Sequence, residues 1–170
     1  MMNSDQGPKG QELNHDSQQP HNHDPNPEPP GDDPAFHLLV PSGVSWLLTP
    51  ADLATLPQTA VADCYIVSSG HGSSGPFTFG GVALGELIAA YYHDLWHDAE
   101  IVSGDGFGNR VKFAEAQPGI SMPPILIATE IDGRPMTRDE GLVRLIVPAE
   151  RDDALRQVKW IRGVTVNRGQ

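Results

Sequence analysis

The sequence predicts an α+β domain built around a mixed β-sheet and preceded by a disordered acidic tail. Three observations lead there. Strand-like segments outnumber helical ones and do not alternate with them regularly, which disfavours a doubly wound parallel sheet. Large apolar side chains are nearly absent from residues 1–35 and ordinary afterwards. No self-similar period runs along the chain, which excludes a solenoid or a propeller.

The tail comes first. Residues 1–35 are rich in Asn, Gln, Asp, His, Pro and Gly, a composition that buries too little apolar surface to offset the entropy of ordering. His15, His21 and His23 read as solvated tail residues rather than metal ligands. The tail holds seven acids against Lys9, a net charge of −6, and residues 36–170 hold 15 acids and 10 bases, a net of −5, within the total of −11. With both parts acidic, neither nucleic acid nor an anionic membrane is an expected partner. No apolar run approaches the ~20 residues that a membrane-spanning helix needs. Cys64 is the only cysteine, so no intramolecular disulfide forms and no oxidising compartment is implied. The opening Met-Met-Asn-Ser-Asp-Gln-Gly lacks the basic and apolar regions of an export signal and a twin-arginine pair. A cytoplasmic protein is the expectation.

Folded structure is expected from residue 36 to residue 170. Phe36-His37-Leu38-Leu39-Val40 reads as a strand. Thr49 is a candidate N-cap with Pro50 at the first helical position, opening a short helix that runs to Leu56 and stops before Pro57. Val61 to Ser68 reads as a buried strand ending in the glycine-rich loop Ser68-Ser69-Gly70-His71-Gly72-Ser73-Ser74-Gly75-Pro76. Leu84, Leu87, Ile88 and Tyr91 recur at helical spacing. Further strands are expected at 99–102, 110–113, 125–130, 142–147 and 164–166, with Asp132-Gly133 as a turn.

Scattered blocks in this order carry a family resemblance. They are Leu53 to Pro57, Phe79-Gly80-Gly81-Val82-Ala83-Leu84, Asp105-Gly106-Phe107, Asp132-Gly133-Arg134-Pro135-Met136, Gly141-Leu142-Val143-Arg144-Leu145-Ile146-Val147-Pro148, and Val158-Lys159-Trp160-Ile161. Together they resemble the oxidoreductase molybdopterin-binding domain of the sulfite oxidase family, over about Phe36 to Val166. The resemblance implies a sulfite-oxidase-like molybdopterin-binding fold and a molybdenum–molybdopterin cofactor. Each block also has a plain structural reading as a helix entry, a turn or a core strand, so the resemblance speaks to fold more than to activity.

The resemblance implies a cysteine thiolate on molybdenum, a soft donor suited to that metal. Cys64 is the only candidate metal ligand of this kind. It lies in the matching strand, but counting from Leu56-Pro57 the family cysteine falls nearer Val67 or Ser68, and counting back from Phe79 it falls near Ser69. The alternative for Cys64 is a buried apolar cysteine. Arg144 and Lys159 match positions near the cofactor phosphate, which arginine clamps bidentately and lysine attracts as a point charge; the alternative is structural ion pairing. Ser69, Gly70, His71 and Gly72 are candidate cofactor contacts, because small residues let backbone N–H groups approach an anion. His71 could titrate there near neutral pH, or be satisfied by backbone. The pairs His93/His97 and Asp94/Asp98 lie at i,i+4 spacing but read as a solvated helix end.

One segment departs from the family pattern. Between Pro148 and Val158 the family usually has glycines, whereas this chain has none and carries Glu150, Asp152 and Asp153. Two functions follow as expectations. One is a molybdopterin-dependent oxidoreductase performing oxygen-atom or electron transfer on a small substrate, with substrate and redox partner unnamed by any residue. The other is a non-catalytic member of the fold that binds an anion or a protein.

Overall fold

A computed structural model of the chain describes residues 31–68, 72–117, 123–148 and 157–169. It contains ten strands, two short α-helices and a 3-10 turn among those residues. In order they are β1 (Phe36–Leu39), β2 (Ser45–Leu48), α1 (Pro50–Leu53), β3 (Thr59–Ser68), β4 (Gly72–Ala83), α2 (Leu84–Tyr91), β5 (Asp98–Ser103), β6 (Gly108–Lys112), a 3-10 helix (Phe113–Ala116), β7 (Leu126–Ile131), β8 (Arg134–Pro135), β9 (Arg144–Ile146) and β10 (Ile161–Asn167).

The strands form two sheets rather than the one expected. The first has the order β2-β1-β10-β5-β6 and is mixed, because β1 pairs with β10 in parallel while its other pairs are antiparallel. The second has the order β3-β4-β7-β8, with β9 on β7, and is antiparallel throughout. The α+β class therefore holds, with mixed pairing confined to the first sheet.

Local signals explain several elements. The Thr49 side chain accepts from the Asp52 N–H, and Asp52 Oδ2 accepts from the Thr49 N–H at 2.9 Å, a complete capping box that starts α1. The helix closes at Leu53, three residues before the expected Leu56, and its chain continues in turns. Helix α2 spans the expected residues and buries Leu84, Leu87 and Ile88. The glycine-rich loop is a correction. Gly72 to Pro76 do not lie in a loop that leads to a helix; they begin the long strand β4, whose backbone pairs with β3 from Ser68↔Gly72 to Thr59↔Gly81. Low strand propensity there is overridden by a paired neighbour.

Two cores result. The larger packs Phe36, Leu38, Leu84, Leu87, Ile88, Ile101, Leu145, Val158 and Val164, drawn from both sheets and α2. Each such side chain contributes roughly 1.5–3 kcal/mol by leaving water. The smaller packs Val61, Cys64, Phe79, Leu126, Ala128, Ile131, Met136 and Ile146. Residues 31–35, assigned to the tail by composition, already touch the domain: Ala35 is buried, and Pro34 lines a groove with Leu142 and Trp160.

Candidate functional site

Strand alternation places the candidate cations. On β9, Leu145 belongs to the larger core and Ile146 to the smaller one. Successive side chains point to opposite faces, so Arg144 shares the face of Ile146. An antiparallel bridge joins Leu145 to Val158, which sets Lys159 opposite Arg144 and Gln157 opposite Ile146. Val158 is in the larger core, so Gln157 and Lys159 face the same side as Arg144. The structure thus brings Arg144 and Lys159 together.

Gly141 makes that approach possible. Its φ is +110°, and a Cβ there would lie 2.8 Å from Lys159 Cβ and 3.0 Å from Arg144 Cγ. Both cationic stems therefore pack against a bare backbone. Leu142 and Trp160 beside it also have positive φ, 59° and 55°. Such conformations cost energy in non-glycine residues and cluster at functional sites. They border a shallow groove shared by Pro34, Leu142, Val143, Trp160 and Arg162.

Arg144 is 6% exposed. Its Nη1 donates to the Glu140 carbonyl at 2.9 Å, while its buried Nε has no partner among the described residues. Burial pulls its pKa down to about 10, against a raising influence from Glu140. The group stays charged at neutral pH. A buried cation whose hydrogen bond goes to a neutral carbonyl is costly unless an anion reaches it. Lys159 lies over the Trp160 ring at 4.3 Å from its centroid. Partial burial and the Arg144 cation lower its pKa, and Asp105 and Asp139 act the other way.

Gln157 was not singled out by the sequence. It is buried, its Nε2 donates to the Tyr65 carbonyl at 3.2 Å, and its Oε1 has no partner. Among the described residues, the donor Arg144 Nε and the acceptor Gln157 Oε1 have no hydrogen-bond partner.

Cys64 is enclosed. It is 5% exposed within the smaller core, and its Sγ lies 3.6 Å from the carbonyls of Val61 and Ala62. Cys64 and Ile66 pack against this same smaller core, although the β3–β4 register shifts between Val61 and Cys64 and again before Ile66. Asp63, at φ +60°, marks the first bulge. Ser69, Gly70 and His71 lie outside the described residues. Gly72 pairs through its backbone with Ser68. The i,i+4 reading of His93, Asp94, His97 and Asp98 is overturned: α2 ends at Tyr91, and Asp98 sits on β5 bonded to His97 Nδ1 and Asn167 Nδ2, each at 2.8 Å. Those bonds, Asn167 foremost, lower the Asp98 pKa. Among the described residues no group of three or more His, Cys, Asp or Glu is placed to hold a metal, and no helix is long and apolar enough to cross a membrane.

Comparison with known proteins now bears on this geometry. No curated protein sequence matches the chain. Among solved structures, the sulfane dehydrogenase SoxCD from Paracoccus pantotrophus is similar, with a TM-score of 0.60 and 16% identity over 78% of this chain. This chain spans 38% of the length of that one, and at such identity the likeness concerns the fold. The family described as the oxidoreductase molybdopterin binding domain matches residues 37–170, nearly the whole folded part. The chain belongs to the oxidoreductase molybdopterin-binding domain family.

Proposed function

We propose that this domain holds molybdopterin in the service of oxidoreductase chemistry, with Arg144 and Lys159 at the cofactor's anionic end. One observation carries the reading: Arg144 is buried and charged, its Nε has no partner, and it lies beside a second cation across a bare glycine. A phosphate would satisfy Arg144 through charge-assisted hydrogen bonds. Gln157 Oε1 adds an acceptor that a pterin ring, rich in N–H donors, could meet. The donor set therefore fits the organic part of the cofactor. When bound, such a group supplies oxygen-atom or electron transfer at its metal. This chain's own residues bind and orient it, and they exclude water from its anionic end.

The fit is poorer at the metal. The one cysteine of the chain keeps its thiol in an apolar core, whereas a metal-binding thiolate needs an open, electropositive setting. That observation favours a second reading, a non-catalytic member of the fold that binds an anion or a protein. Wild type and Cys64→Ser, purified from a molybdenum-replete host, separate the two. Stoichiometric molybdenum in the wild type supports the oxidoreductase, and its loss in Cys64→Ser assigns the thiolate. Near-zero molybdenum in both proteins supports the binding module.

A further inference from the structure

Glu140 touches two arginines, Arg144 through its carbonyl and Arg134 through its carboxylate. The Glu140 carbonyl accepts Arg144 Nη1 at 2.9 Å, so the Glu140 side chain departs from beside the guanidinium. Its negative charge already acts on Arg144. Both of its carboxylate oxygens are taken up in another direction. Arg134 Nη1 donates to Oε1 and Nη2 to Oε2, each at 2.7 Å, and the Thr137 N–H donates to Oε1 at 2.9 Å. This is a bidentate fork, the strongest geometry an arginine offers a carboxylate.

We infer that Arg134 is a positioning residue for the anion site: by clamping Glu140 it leaves the Arg144 guanidinium un-neutralised and able to receive a ligand. The inference rests on the reading above, in which Arg144 binds an anion. Without the clamp, a rotation of the Glu140 side chain brings its carboxylate to Arg144. A permanent intramolecular ion pair in a poorly solvated site then competes with the incoming anion. The plainer role for Arg134 is to tie the turn from Thr137 to Gly141. The two roles differ in what happens when Glu140 also loses its charge. A structural tie is not mended by removing its second half, whereas a competitor is eliminated.

The test uses the full chain and inorganic phosphate, with affinity read from backbone amide shifts in an NMR titration. Arg134 is 53% exposed, so Arg134→Gln leaves no buried gap. Glu140→Gln keeps an Oε1 for the Thr137 N–H. Arg134→Gln is expected to weaken phosphate binding by about tenfold, a difference equivalent to one charge-assisted contact. Arg134→Gln/Glu140→Gln is expected to bind as the wild type does. Unchanged affinity in Arg134→Gln overturns the inference, and so does a double variant as weak as the single one. A wild type that binds no phosphate, or an Arg144→Met variant that binds it equally well, overturns the anion site itself. Failure of the site and failure of the Arg134 role are thereby told apart.

Discussion

Gln157 Nε2 bonds the Tyr65 carbonyl at 3.2 Å across 92 residues of sequence. The strand pairings alone would keep these residues far apart. Tyr65 lies next to the Cys64↔Phe77 pair, while Gln157 lies beside Ile146, which pairs with Leu126 and through it with Ala83. In a flat sheet the two would be separated by roughly 20 Å along the strands and by four strand spacings across them. The second sheet therefore curls and the far half of the β3–β4 hairpin bends, so that opposite edges meet over the smaller core. The second register shift, between Cys64 and Ile66, places its extra residue on β4, and the bulge at Asp63 supplies the bend on β3. Gly75 supplies it on β4, with φ +132° and a Cβ position 2.8 Å from the Cys64 carbonyl.

Gln157→Leu should release this closure locally. Amides of residues 64–66 are expected to exchange with deuterium faster than in the wild type. Global stability should change by less than about 1 kcal/mol, because loss of the bond is offset by removal of the unpaired Oε1. Unchanged exchange at those amides would show that the hydrogen bond does not hold the hairpin.

Gly141→Ala should be among the most damaging small substitutions in the domain. It forces φ +110° on a residue with a Cβ and drives that atom against Lys159 and Arg144. The expected loss is about 2–3 kcal/mol in chemical denaturation, with weaker phosphate binding in whatever remains folded. A loss below about 0.5 kcal/mol would mean that the backbone here is not fixed.

The Cys64 thiol should be protected. Enclosed by Val61, Phe79 and Leu126, it should react with an aromatic disulfide reagent far more slowly in the native protein than in denaturant. Rapid native labelling would place the sulfur in open volume and restore it as a candidate metal ligand.

Acid should weaken the turn that carries the site. Arg134, and after it the Thr137 N–H, hold the Glu140 pKa down at about 2, below the ordinary 4.5. A carboxyl with a depressed folded-state pKa contributes stability above its unfolded pKa and loses it as pH falls through the folded value. The wild type is therefore expected to lose stability relative to Glu140→Gln between about pH 4.5 and pH 2, as denaturation midpoints at pH 6, 4 and 2 would read. Parallel profiles for the two proteins would show that the Arg134–Glu140 pair contributes nothing to folding.

Much of the fold was legible because its signals are local. Thr49, Asp52 and Pro50 spell out a helix start, and Leu84, Leu87 and Ile88 repeat at helical spacing. Strand β2 was missed because Ser45–Leu48 is four residues long and shows no clean alternation. Most of β4 was missed because glycines and serines carry no strand preference, and its structure is imposed by β3. At the site, Arg144 and Lys159 were found through blocks of resemblance. Arg134 stands in one of those blocks and Glu140 in none, and their pairing was not legible, since a six-residue separation matches no helical or strand period and becomes a contact only when the intervening turn closes. Gln157 was missed because the residue it contacts lies on the far edge of a curled sheet.

The pterin content of wild type and Arg144→Met, purified from the same molybdenum-replete host, tests the central claim most directly, with melting temperatures measured alongside. Pterin bound in the wild type should fall by at least about tenfold in Arg144→Met, the cost of one lost charge-assisted clamp. The cofactor-free variant should melt higher than the cofactor-free wild type, because an apolar chain of similar length replaces a buried, uncompensated cation. Equal pterin in both proteins, or a lower melting temperature with no pterin in either, would contradict the account and make Arg144 a structural residue.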